Sequence, residues 1–137
     1  MAETITYSTQ GTKGGKTFFR AQITYSDIGT SQETTIQFPA ALGKKIWELV
    51  SFHIVRTDGT GTPNWAPRLG DTAGFAADSG NEKFGYDAAI STTPINDYWA
   101  SPGIPCYLGT DYKLYFVPGF AAESDNDATV ELIFVVE

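Results

Sequence analysis

The sequence predicts an all-β domain: an antiparallel β-sandwich, jelly-roll-like, of about eight strands with a long loop-rich middle. Three observations predict it. Apolar residues recur with period two in several separate segments, the pattern of strands that turn one face to a core. Aromatic residues make up 14% of the 137 residues and accompany Thr and Gly rather than Leu, Lys and Glu, a balance that favours pleated sheet over helix. The segments are short, separated by turn residues, and interrupted by no long amphipathic helix, so packing sheet on sheet is the way left to bury their faces.

Residues 3 to 9 alternate and read as a first strand. In Thr17 to Ser26, Phe19, Ala21, Ile23 and Tyr25 fall on one face and Phe18, Arg20, Gln22 and Thr24 on the other. Gln32 to Phe38 is a third strand, ended by Pro39. The stretch Pro39-Ala40-Ala41-Leu42-Gly43 forms one short turn closed by its glycine. Ile46 to Arg56 is the longest apolar run. Val50, Phe52 and Ile54 share one face and Trp47, Leu49 and Val55 the other, so it reads as a strand buried on both sides. Asp58-Gly59 begins a turn.

From Gly59 to Pro105 the character changes, with Gly, Pro, Asp, Asn and Ser every few residues. Phe84 to Ile90 reads as a short strand and the rest of 59–105 as a loop-rich elaboration of the sandwich, since no linker separates it. Regular strands return at Ile104 to Leu108, Tyr112 to Val117 and Ala128 to Val136. In the last, Ala128, Val130, Leu132, Phe134 and Val136 make one apolar face. Gly109-Thr110-Asp111 and Glu123 to Asp127 supply the polar connections. A single domain therefore spans 1–137. Within it, Met1 to Lys16 reads either as an N-terminal arm that adds a strand to a neighbour's sheet or as an ordinary first strand and loop.

A chain of 137 residues fits one domain and needs no disulfide or metal to hold a core. Its net charge of −7 repels phosphate backbones and anionic bilayers, so neither nucleic acid nor membrane is an expected partner. No apolar run approaches the ~20 residues of a membrane-crossing helix, and Met1-Ala2-Glu3-Thr4 does not begin a signal peptide. The single cysteine, Cys106, has no partner within the chain, which fits synthesis in a reducing cytoplasm.

Several motifs invite a chemical reading. Gly11-Thr12-Lys13-Gly14-Gly15-Lys16-Thr17 resembles a phosphate loop, but three residues rather than four precede the Gly-Lys pair, and an alternating strand follows where a helix N-terminus is needed to hold the anion. It reads as a hairpin loop. His53, the only histidine, sits in an apolar strand with no Gly-x-Ser-x-Gly elbow anywhere to support a triad, and reads as a packed structural residue. Cys106 follows Pro105 in an apolar strand and reads as a small buried hydrophobe. The loop acids Asp58, Asp71, Asp78, Glu82, Asp87, Asp97 and Asp111 offer chance pairs for a hydrolase but no specific one. Glu123-Ser124-Asp125-Asn126-Asp127 has oxygens for calcium without the EF-hand spacing, and reads as an acidic hairpin loop. No catalytic residue, cofactor or metal is expected. Trp65, Tyr98 and Trp99, beside Pro63, Pro67 and Pro102, read either as binding anchors or as caps on the sandwich ends.

The second half has a recognisable cadence. Pro67-Arg68-Leu69-Gly70-Asp71-Thr72-Ala73-Gly74 is followed by Tyr107-Leu108-Gly109-Thr110-Asp111-Tyr112-Lys113-Leu114-Tyr115-Phe116-Val117-Pro118, and the chain closes on Ser124 to Val130 and an apolar last strand. This resembles the small β-sandwich virion proteins of tailed bacteriophages, especially head decoration or cement proteins, over residues 46–137. The resemblance implies a non-enzymatic capsid protein on the outside of the head, a homo-oligomer (dimer or trimer) that bridges major capsid subunits. Its protein interface is then expected at Trp65, Tyr98 and Trp99, and at Lys13 and Lys16 of the arm. The competing expectation is a receptor- or carbohydrate-binding tail module that stacks sugars on Trp65, Tyr98 or Trp99. A small hydrolase ranks third.

Overall fold

The computed structural model describes residues 2–11, 14–28, 32–58, 64–65, 67–75, 82–85, 88–89, 95–119 and 126–137, with 2, 64–65, 83–85, 88–89 and 95–102 described through their backbone. The strands are β1 (Ala2–Gly11), β2 (Thr17–Ile28), β3 (Thr34–Gln37), β4 (Ile46–Asp58), β5 (Asn64–Trp65), β6 (Arg68–Gly70), β7 (Glu82–Gly85), β8 (Ala88–Ala89), β9 (Ile95–Tyr107), β10 (Lys113–Val117) and β11 (Asn126–Val136). One 3-10 turn, Ala40–Leu42, is closed by Gly43, whose φ of 65° and N–H bond to the Ala40 carbonyl need the freedom of glycine.

A five-stranded sheet in the order β1-β2-β11-β4-β9 lies with a four-stranded sheet in the order β3-β10-β6-β7, and β5 and β8 form a separate ribbon. All pairings are antiparallel. The pairs β2–β11, β3–β10, β4–β9 and β6–β7 are nested, the first strand of the set with the last and so inward. That is one long hairpin rolled up, and β11–β4 and β10–β6 close the roll. The β-sandwich is thus a jelly roll of eight strands, extended by β1 at one edge.

The core lies between the two sheets. β2 contributes Phe19, Ala21, Ile23 and Tyr25, as its alternation predicts, and β11 contributes Ala128, Val130, Leu132 and Phe134. From the opposite sheet come Ile36, Leu69, Leu114 and Phe116. Three irregularities in the strands reset which side chains point inward. At Asp27, which has a φ of 53°, β2 bulges against β11, so Ile28 is buried three residues after Tyr25. β4 carries two more, at Thr57 and at Val50. The second corrects the sequence reading of β4. Trp47 and Leu49 share the core face with Phe52 and Ile54, because the extra residue at Val50 inverts the alternation between them. β4 is therefore not buried on both sides: Val50, His53 and Val55 lie half-buried on the outer face.

The stretch 59–105, read from sequence as loop-rich, supplies β6, β7 and most of β9, three of the eight strands of the roll. Residues 2–11 are not a detached arm here. They pair with β2 over ten consecutive positions, from Ala2 opposite Ser26 to Gly11 opposite Thr17. Polar contacts pin β1 across the sandwich to β3. Gln37 donates its backbone N–H to the Tyr7 hydroxyl at 3.0 Å, and Glu3 accepts from Thr34 at 2.5 Å and from Gln32 at 2.7 Å.

Candidate protein interface

The outer face of the five-stranded sheet is not uniformly polar. Toward the start of β4 it carries Ile46, 52% exposed, directly opposite Tyr107, 54% exposed, on β9. The next row of the same face runs Pro105, Glu48, Val135, Phe18. Val135 is only 8% exposed and Phe18 is half-buried, so this row is packed within itself but open above. The Leu42 side chain, 43% exposed, belongs to the turn that leads into β4. The patch is apolar in the middle and charged at its rim, with Lys16 and Glu137 within 3.9 Å of each other. Arg20 donates to Glu131 through Nε at 2.6 Å farther along the face. Both pairs are solvent-accessible and add little stability.

The core beneath this end is aromatic. Phe19, Phe38, Trp47 and Phe134 form one aromatic cluster, with Phe38 to Phe134 edge-on at 4.8 Å and Phe38 to Trp47 at 5.4 Å. Trp47 is fully buried and donates its Nε1–H to the Lys44 carbonyl at 3.1 Å. Adjacent residues point to opposite faces of a strand, so the rings of Phe19, Trp47 and Phe134 back directly onto Phe18, Ile46 and Val135. The exposed patch therefore lies directly over the aromatic cluster.

The clefts that described residues form are small. One lined by Lys16, Ile46, Glu48 and Val136 holds about 160 Å³. One between Asp71 and Asp111 holds about 170 Å³, and one beside Phe18, Arg20 and Ile133 about 260 Å³. These three fall below the ~300 Å³ at which pockets begin to enclose a small ligand. Among the described residues, no group of three or more His, Cys, Asp or Glu is placed to hold a metal ion. No helix among them is long and apolar enough to cross a membrane.

The residues singled out from sequence are distributed as follows. Lys16 lies on the rim of the patch. Tyr98 and Trp99 are on β9, opposite Phe52 and Ser51, which is six residues along β4 from the Ile46–Tyr107 pair to Phe52, or about 20 Å. Trp65 is on the β5–β8 ribbon, opposite Ala88. Lys13 lies outside the described residues, as do Asp78, Asp87 and Glu123 to Asp125. Cys106 is fully buried, as expected of a small hydrophobe. The phosphate-loop lookalike joins β1 to β2 as a hairpin connection. His53 is not a core residue: it is half-buried on the outer face, opposite Glu131 on β11 and Asp97 on β9. Glu82 pairs with Arg68 at 3.2 Å and is structural. The buried Arg56 donates to the Asn126 side chain at 3.0 Å, an interior polar pair that the sequence does not announce.

Sequence reasoning passed over Ile46 and Tyr107. Each neighbours a core residue, Trp47 and Cys106, and strand parity alone places each on the opposite face. The signal was present but was hidden by reading β4 as buried throughout.

No family model matches the chain, and no curated protein matches it. Among solved structures, a chain of the cyanophage Pam1 capsid asymmetric unit aligns with a TM-score of 0.41 at 13% identity, over 96% of this chain and 86% of that chain. The likeness is too remote to transfer a function.

Proposed function

We propose that this chain is a non-enzymatic structural protein of a bacteriophage particle, a head decoration or cement protein that binds the outside of the shell and bridges major capsid subunits. The observation that carries the reading is the Ile46–Tyr107 patch, a half-exposed apolar surface held over an aromatic core. Such a surface gives up water on docking without having to order itself first. The assignment to a phage head is supported by the cadence of residues 46–137. Lys16 on the rim extends the contact area. Many such contacts on one shell convert a weak individual interface into a durable one.

The test is a binding assay with purified heads that lack the protein. The wild type is expected to sediment with full heads in many regular copies, and the double variant Ile46→Ser, Tyr107→Ser to remain in the supernatant while keeping its β-sheet circular dichroism spectrum. Imaging that places the protein only at the tail overturns the head reading. Tryptophan fluorescence quenched by a glycan, and restored in Trp99→Ala, assigns it instead to a carbohydrate-binding tail module.

A further inference from the structure

The two large sheets have four edges among the described residues: β1, β9, β3 and β7. Exposed edges invite pairing with other chains, and proteins blunt them with brevity, charge, proline or irregularity. Three of the four are blunted. β3 and β7 have four residues each, and β7 begins Glu82-Lys83. β9 contains Pro102 and Pro105, and between Trp99 and Ile104 it departs from the regular ladder with β4. Apart from Glu3 near its start, β1 has none of these devices. It runs ten residues with unbroken register against β2, contains no proline, and carries no charge from Thr4 to Gly11.

We propose that β1 is a dimerisation edge, and that its occupant is β1 of a second copy of this chain in a two-fold antiparallel pair. The choice of occupant follows from the other edges. Of the four, only another β1 offers an equally long and regular ladder, so an isologous pair uses both open edges and leaves none for a growing fibre. Charge permits it as well. Two chains of net charge −7 repel, but here they meet along an uncharged strip. In a register centred on Tyr7, Glu3 falls opposite Gly11 of the other copy, so like charges are not juxtaposed. The same register sets Tyr7, 41% exposed, against its own copy as a cross-strand aromatic pair. This dimer does not depend on the capsid reading.

Sedimentation of the full chain across a concentration series tests it. The expected mass is twice 14.9 kDa at high concentration, dissociating on dilution. Thr6→Lys with Ser8→Lys places lysines on two exposed side chains that face each other across the two-fold. It is expected to weaken the dimer at least about tenfold while the thermal unfolding midpoint of the monomer holds. Hydrogen exchange on the wild type gives a readout that needs no variant. Alternate amides of 2–11, those directed away from β2, are expected to slow as concentration rises. A wild type that stays monomeric at every concentration overturns the proposal. So does a dimer that survives the double lysine variant or shows no change in exchange along β1. Ile46→Ser with Tyr107→Ser is expected to lose head binding yet keep the dimer, so the two proposals fail separately.

Discussion

The two faces of the five-stranded sheet share a backbone and differ in what lies over them. The inner face buries Phe19, Trp47, Phe52 and Phe134 against the second sheet. The outer face presents Phe18, Ile46, Val50 and Val55 from the same strands, and these are half-buried or exposed. A sheet that carried only one packed face would be polar on its other side. This one is apolar on both sides at the end near Ile46 and Tyr107, while Thr4, Thr6, Gln22 and Thr24 keep the β1–β2 part of the far end polar and exposed. The contrast teaches that hydrophobicity in a strand divides into two quantities: what the fold consumes and what it leaves for a partner.

Substitutions on the two faces are expected to separate those quantities. The largest effect belongs to the inner face: Trp47→Ala removes the ring packed against Phe19 and Phe38 and is expected to cost about 4 kcal/mol in urea unfolding. A loss as small as that of an outer-face change would erase the distinction. Gly103→Ala comes next, at about 2 kcal/mol, because a Cβ there would lie 2.8 Å from the Leu49 carbonyl oxygen and 2.9 Å from side-chain atoms of Glu48 and Val50. An unchanged midpoint would mean that β9 is free to shift away from β4.

A smaller effect is pH-dependent. Burial pushes the Tyr25 phenol far above its ordinary value; the hydrogen bond with Thr34 opposes this and the nearby Glu3 charge adds to it. The folded state therefore holds this proton more tightly than the unfolded chain. The stability it contributes is complete below pH 10 and falls as the pH rises beyond it. Urea midpoints at pH 9 and pH 11 are expected to drop in the wild type and to drop less in Tyr25→Phe. Smallest of all, Ile46→Ser and Tyr107→Ser are expected to shift stability by no more than about 0.5 kcal/mol each, since both side chains are more than half exposed. A larger loss would move the patch from the partner's account to the core's.

Much of the fold was legible because alternation is a local signal. β2, β10 and β11 show their inward faces directly in sequence, and Pro39 to Gly43 announces its turn by its residue types. What escaped is what depends on neighbours. The irregularity at Val50 exists only against the neighbouring strands β11 and β9, so the parity of β4 inverts where no residue in β4 marks it. β6 and β7 are short and the first part of β9 runs into Pro102 and Gly103, and they pair because the roll brings β10 alongside β6, β6 alongside β7 and β4 alongside β9. The interface was half legible. The sequence drew notice to aromatic residues in irregular segments, whereas the exposed pair that the structure brings together sits in regular strands and is betrayed only by parity.

The position of β11 has a consequence for synthesis. Residues 126–136 lie in the middle of the five-stranded sheet, and β2 and β4 have no ladder with each other except through them. Until that segment has left the ribosome, β2 with β1 and β4 with β9 are two unjoined strand pairs. The five-stranded sheet must wait for its most distant strand, which places this chain among slow folders that depend on non-local pairing. A ribosome stalled before residue 126 should therefore hold a nascent chain that chaperones and proteases still recognise as unfinished.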